Sequence, residues 1–116
     1  MPLEPIELAR KAVEAASEKQ ALDIVMLDIR VLCSFADCFI ICSGDTKRQM
    51  DSICDEIQGV LSKEGVTLRR REGATESGWI LMDFGDVIVH VFAPKEREYY
   101  QLERLWGKAT PLVRIQ

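Results

Sequence analysis

The stretch WILMDFGDVIVHVF, residues 79 to 92, gathers much of the chain's chemical potential: Asp83 and Asp86 flank Phe84-Gly85, and His90 is the one histidine. Two carboxylates could hold a divalent metal, Asp-Phe-Gly could be the magnesium-binding triplet of a kinase, or the aspartates could be turn residues bonded to local backbone. The kinase reading fails: there is no glycine-rich loop, no His-Arg-Asp catalytic loop, and 116 residues are too few for two lobes. His90 has no Ser or Cys nucleophile set beside it by any recognisable motif, so a packed or interfacial histidine is the simpler expectation.

The metal reading is the enzyme alternative. A strand ending in Ser43-Gly44, a helix start, and a later strand with carboxylates is the arrangement of small mixed-sheet nucleotidyltransferases, in which phosphates sit at the helix start and acids hold magnesium. Such chemistry wants its acids on one strand face with a third from a neighbour. Here they straddle a turn, residues 87 to 93 add only His90, and the order Ser-Gly is the reverse of the usual Gly-Ser.

Positioning these residues falls to a hairpin. With Phe84-Gly85 as a two-residue turn, Asp83 faces Asp86, Met82 faces Val87, Leu81 faces Ile88 and Trp79 faces His90. Ile80, Met82, Val87, Val89 and Val91 then make an aliphatic face suited to helix packing, while Trp79, Leu81, Asp83, Ile88, His90 and Phe92 make a mixed aromatic face. Phe84 is expected exposed at the turn tip.

Around the hairpin, Pro5 suits a first helical position, and Ile6, Ala9, Val13 and Ala16 recur at helical spacing to about Gln20. DIVMLDIRVL alternates as a strand with Val25, Leu27, Ile29 and Val31 on one face. ADCFIICSG is apolar on both faces, the mark of a central strand. Thr46 and Gln49 form a capping box for a helix carrying Met50, Ile53, Cys54, Ile57, Val60 and Leu61 on one stripe and closed by Gly65. VTLRRRE reads as a short edge strand whose arginines are solvated. KEREYYQLERLW predicts one helix with Tyr99, Leu102 and Trp106 inward and Glu96, Arg97, Glu103 and Arg104 in solvent, followed by an irregular end or a short closing strand. The order implies a single α/β domain, residues 1 to 116, with a mixed sheet flanked by helices.

Net charge −4 argues against a general nucleic-acid binder, including specific DNA binding, and favours a basic partner. Cys33, Cys38, Cys42 and Cys54 match no zinc or iron–sulfur spacing and read as reduced, mostly buried thiols, so no metal or cofactor is expected. The N-terminus has no apolar signal region, and no run is long enough to span a membrane, which predicts a cytoplasmic protein.

One family resembles these residues closely, the ribosomal silencing factors or Iojap-like proteins. The match lies in DCFIICSGDTKRQMDSI (37 to 53), Glu72-Gly73, WILMDFGDVIVHVF (79 to 92) and REYYQLERLW (97 to 106). Phe84 and Met82 depart from that pattern, where tyrosine and leucine are common, and Thr67-Leu68 replace a proline-containing stretch. The resemblance implies a nucleotidyltransferase-like fold without catalytic carboxylates. It also implies binding to the large ribosomal subunit through its fourteenth ribosomal protein, exclusion of the small subunit, repression of translation under nutrient limitation, and a part in large-subunit assembly. On that reading, Trp79, Leu81 and Phe92 are apolar anchors, Phe84 a turn-tip contact and His90 a hydrogen-bonding group. Asp83 and Asp86 meet cations, Tyr100 completes the patch, and the free protein is a monomer or weak homodimer.

Overall fold

The computed structural model describes residues 3–115, the side chain of Leu105 excepted. Helix α1 (Pro5–Glu18) leads into β1 (Leu22–Asp28) and β2 (Cys38–Ser43). Next come α2 (Lys47–Lys63), β3 (Arg70–Glu72), a single turn of 3-10 helix (Thr75–Ser77), β4 (Trp79–Asp83) and β5 (Val87–Phe92). Two short helices, α3 (Pro94–Tyr100) and α4 (Leu102–Leu105), precede β6 (Thr110–Ile115).

The six strands form one sheet in the order β3-β4-β5-β2-β1-β6. β2 and β5 run parallel at its centre and every other neighbour is antiparallel. Every residue of β2 and β5 is buried, as expected for apolar strands covered on both faces. Helices α1 and α2 lie against one face. Alanines 9, 12, 15 and 16 on the inner side of α1 let it approach closely over Ile24, Met26, Ile40 and the inward residues of α2. Cys42 and Cys54 belong to this core, and burial pushes both thiols up to about 12. Burial, reinforced by the charges of Asp28 and Asp37, lifts Cys38 to about 11. Cys33 is half-exposed. The opposite face carries Val25, Leu27, Phe39, Ile41, Ile88 and Phe92, covered in part by Leu102, Ala109 and the half-buried Trp106.

The hairpin register differs from the expected one by two residues. Asp83 pairs with Ile88, Leu81 with His90 and Trp79 with Phe92, while the turn centres on Gly85-Asp86, closed by Phe84 N donating to the Val87 carbonyl at 2.9 Å. A slip of two keeps every residue on its assigned face. It also takes Phe84 off the turn and into the Ile80–Met82 alternation, so Phe84 is 6% exposed in the helix-side core rather than a turn-tip contact.

The last helix is also corrected. Gln101 takes φ 47°, which breaks it into α3 and α4. Tyr99 is exposed instead of buried, and Arg97 is buried instead of solvated. β1 ends at Asp28, which leaves Val31 almost fully exposed on the following loop. The closing strand exists: β6 lies along β1 as the sheet's outer edge. At the other edge, two of the three β3-side arginines are ion-paired, Arg70 with Glu72 at 3.3 Å and Arg71 with Asp51 at 3.4 Å.

Candidate docking site

On the sheet face away from α1 and α2, four aromatic side chains gather at the C-terminal end of β5. Trp79 stacks on Phe92 (centroids 4.9 Å) and lies against Tyr100 (4.6 Å), with His90 next along the sheet at 6.0 Å. The strands set this order, since Trp79 pairs with Phe92 and Leu81 with His90, while the turn after β5 returns α3 so that Tyr100 covers the edge of Trp79. Phe92 is completely buried, His90 is 4% exposed, Trp79 and Leu81 are half-buried and Tyr100 is 44% exposed. The available surface is therefore Trp79, Leu81 and Tyr100. Phe92 and His90, expected as contacts, are the floor beneath it.

A hollow of about 330 Å³ opens here, lined by Glu72, Gly73, Ser77, Trp79, Leu81 and Tyr100. Glu72, Gly73 and Ser77 were not singled out as site residues, although the Glu72-Gly73 pair and the glycine-bracketed loop were visible signals. Gly73 has φ 83°, and a Cβ there would sit 2.1 Å from the Trp79 carbonyl oxygen, so glycine is what lets this wall close against β4.

His90 is spent internally. The Trp79 indole Nε1 donates to its Nδ1 at 3.2 Å, which leaves the proton on Nε2, a buried atom with no partner. Burial pulls its pKa down to about 4, so the ring is neutral near pH 7. The neutral, enclosed imidazole packs among Phe39, Trp79 and Phe92.

The two aspartates lie at the far end of β4 and are not brought into the aromatic hollow. Asp83 Oδ1 accepts from Gly85 N at 2.8 Å, the turn-residue role weighed for it. Asp86 is exposed, while its backbone carbonyl accepts from Asp37 N and Cys38 N and ties the tip to the start of β2. No group of three His, Cys, Asp or Glu side chains suited to a metal ion occurs among the described residues.

Ser43 and the side chains at the start of α2 bond within the protein, beside an open hollow of about 460 Å³ lined by Lys19, Thr46, Arg48 and Gln49. Ser43 is buried, and its hydroxyl accepts from Arg97 Nη1 at 3.0 Å. Half of the expected capping box forms at the start of α2: the N-cap Thr46 Oγ1 accepts from Gln49 N at 3.0 Å, while Gln49 Oε1 accepts from Asp45 N, one residue before the cap, at 2.6 Å. Gln49 Nε2 reaches across to the carbonyls of Lys19 and Gln20 beyond α1.

Arg97 is the structural residue that sequence reasoning missed. Besides Ser43 it donates to the Asp23 carbonyl at 2.8 Å and, through Nε and Nη2, to both carboxylate oxygens of Glu103 at 3.1 and 3.0 Å. Six residues along one helix would point to different sides, and the break at Gln101 is what turns Glu103 back. Burial pushes the Glu103 carboxyl up, but the Arg97 hydrogen bonds and charge outweigh it and hold the carboxyl below its usual value. This strut fastens the α3–α4 unit, and Tyr100 with it, to the sheet.

Residues 2–116 match the family model described as "Ribosomal silencing factor during starvation". The chain is 41% identical over 110 residues to a ribosomal silencing factor of Halalkalibacterium halodurans, covering 95% of this chain and 93% of that protein. It is 43% identical over 98 residues to one from Bacillus subtilis, covering 84% and 83%. A solved structure from Chromobacterium violaceum superposes with a TM-score of 0.86 at 37% identity, over 90% of this chain and 88% of that one.

Proposed function

Since the chain belongs to the ribosomal silencing factor family, we propose that it docks on the large ribosomal subunit through that subunit's fourteenth ribosomal protein and keeps the small subunit from joining. It thereby represses translation when nutrients are short and accompanies late assembly of the large subunit. It acts in the cytoplasm, by bulk rather than by chemistry. A body measuring 36 × 31 × 24 Å, held rigid by its sheet, is large enough to obstruct a subunit bridge.

The observation that carries this reading is the half-open Trp79–Leu81–Tyr100 hollow with Glu72 at its rim, backed by buried Phe92 and His90. A rigid aromatic floor and an apolar opening suit a protein partner with an apolar anchor, and Glu72, paired with Arg70 at 3.3 Å, adds a carboxylate at the rim for a flanking cation. Asp86, exposed at the hairpin tip at the far end of β4, offers a second carboxylate to the same partner, beside the Arg69 guanidinium packed against Gly85.

The test is sedimentation of the purified protein with separated subunits at physiological magnesium. Co-migration with the large subunit and a fall in joined ribosomes are expected. Leu81→Lys combined with Asp86→Lys leaves the buried aromatics in place and is expected to weaken binding at least tenfold. Unchanged affinity in that variant, folded by circular dichroism, rules out this docking face. A wild-type protein that stays at the top of the gradient rules out the function itself.

A further inference from the structure

Across the α3–α4 unit from the aromatic hollow lies a second one, of about 360 Å³, lined by Leu32, Arg104, Trp106, Gly107 and Lys108. Its charge is the reverse of the chain's. No carboxylate lies within ion-pairing distance of Arg104 or Lys108 among the described residues, and Arg104 is held only by Nη1 donating to Gln101 Oε1 at 2.9 Å. Trp106 is half-buried, set edge-on to Phe39 at 4.9 Å, which fixes the plane of its ring at the wall of the hollow. The loop that supplies Leu32 also exposes Val31 and Phe35.

We propose that this hollow binds a segment of single-stranded RNA, with Arg104 and Lys108 meeting successive phosphates and Trp106 offering an aromatic edge to a base. Two unpaired cations beside a fixed aromatic ring make a local basic patch on a protein of net charge −4, complementary to a polyanion. Cations that follow a phosphate backbone beside an aromatic wall are the common elements of single-strand binding. Trp106 over Phe39 of β2 and Trp79 over Phe92 of β5 stand on the same face of the sheet. A partner approaching that face meets an apolar hollow on one side and a basic one on the other. The geometry rests on the docking reading: the first hollow takes a basic ribosomal protein, the second the ribosomal RNA beside it.

The experiment compares the wild-type protein with Arg104→Gln/Lys108→Gln, and separately with Trp106→Leu, in three measurements: binding to short oligouridine at low salt, affinity for the purified fourteenth ribosomal protein, and affinity for large subunits across a salt series. Expected for the double variant are loss of most oligouridine binding, unchanged affinity for the ribosomal protein, and a slope of log affinity against log salt smaller by about 1.5. Trp106→Leu is expected to weaken oligouridine with little change in that slope. Unchanged oligouridine binding and an unchanged slope overturn the proposal. So does a loss of affinity for the ribosomal protein itself, which would make the hollow a contact for an acidic protein segment. If wild type ignores large subunits but binds oligouridine in a way the double variant loses, the docking reading falls and the RNA site stands.

Discussion

The indole of Trp79 spends its one donor on His90, and that bond decides what both residues can do. Because His90 is held neutral with a pKa near 4 against 6.5 in the open chain, the unfolded state binds the extra proton between those values. Stability is therefore complete above about pH 6.5 and falls as the pH drops toward 4, by up to about 3 kcal/mol. Urea denaturation at a series of pH values should show this decline, and His90→Leu should flatten it. The depressed carboxyl of Glu103 acts in the same direction at still lower pH, its contribution being lost as it protonates. Arg97 matters for a different reason. Its guanidinium serves Ser43, Asp23 and Glu103 at once, so Arg97→Met leaves a partly buried carboxylate and hydroxyl unpaired and should cost about 3 kcal/mol in the same assay. Arg97→Lys should restore less than half, because an ammonium cannot reproduce the fork. A packed His90 was legible in the sequence; the role of Arg97 was not, because it sits on a helix periodicity that points it to solvent.

At the scale of elements the hairpin is the instructive case. Alternation assigned each residue of β4 and β5 to its correct face because side-chain period is a property of the strand alone. It could not choose the register, since slips of two leave both faces intact. The turn residue decided it: Gly85 at φ 94° takes the first central position, with the Arg69 guanidinium 3.0 Å from where a Cβ would stand. Gly85→Ala should therefore destabilise by about 1 kcal/mol or more, read as a shift of the urea midpoint. The consequence for Phe84 is larger. Burial among the helix-side aliphatics predicts that Phe84→Ala costs about 3 to 5 kcal/mol, where an exposed turn-tip phenylalanine would cost little. The C-terminal helix failed as a single element for a related reason: Tyr99, Leu102 and Trp106 fit a helical stripe, yet the left-handed Gln101 interrupts it. The gain is the Arg97–Glu103 pair, a tertiary contact that local periodicity does not register.

For the whole molecule, the two sheet faces have separate tasks. One is sealed by α1 and α2 and supplies most of the core; the other is only half-roofed by α3 and α4, and the flanks of that roof are the two hollows. The sequence by itself determined the mixed α/β class, the central strands, the capped second helix and the aromatic face, because these depend on side-chain period, capping chemistry and apolar content within a short span. It also carried the family motifs, which full-length matches to silencing factors bear out. Which aromatics stay reachable was decided only by the tertiary structure. Phe92, His90 and Trp79 belong to one sequence pattern, and their exposure is set by where α3 returns, which hinges on one backbone break and one buried arginine. Charge followed the same division: the net value of −4 was plain, but the gathering of Arg104 and Lys108 beside Trp106, apart from Glu72 at the other hollow, required the chain to fold, because sequence order does not fix which hollow a side chain lines.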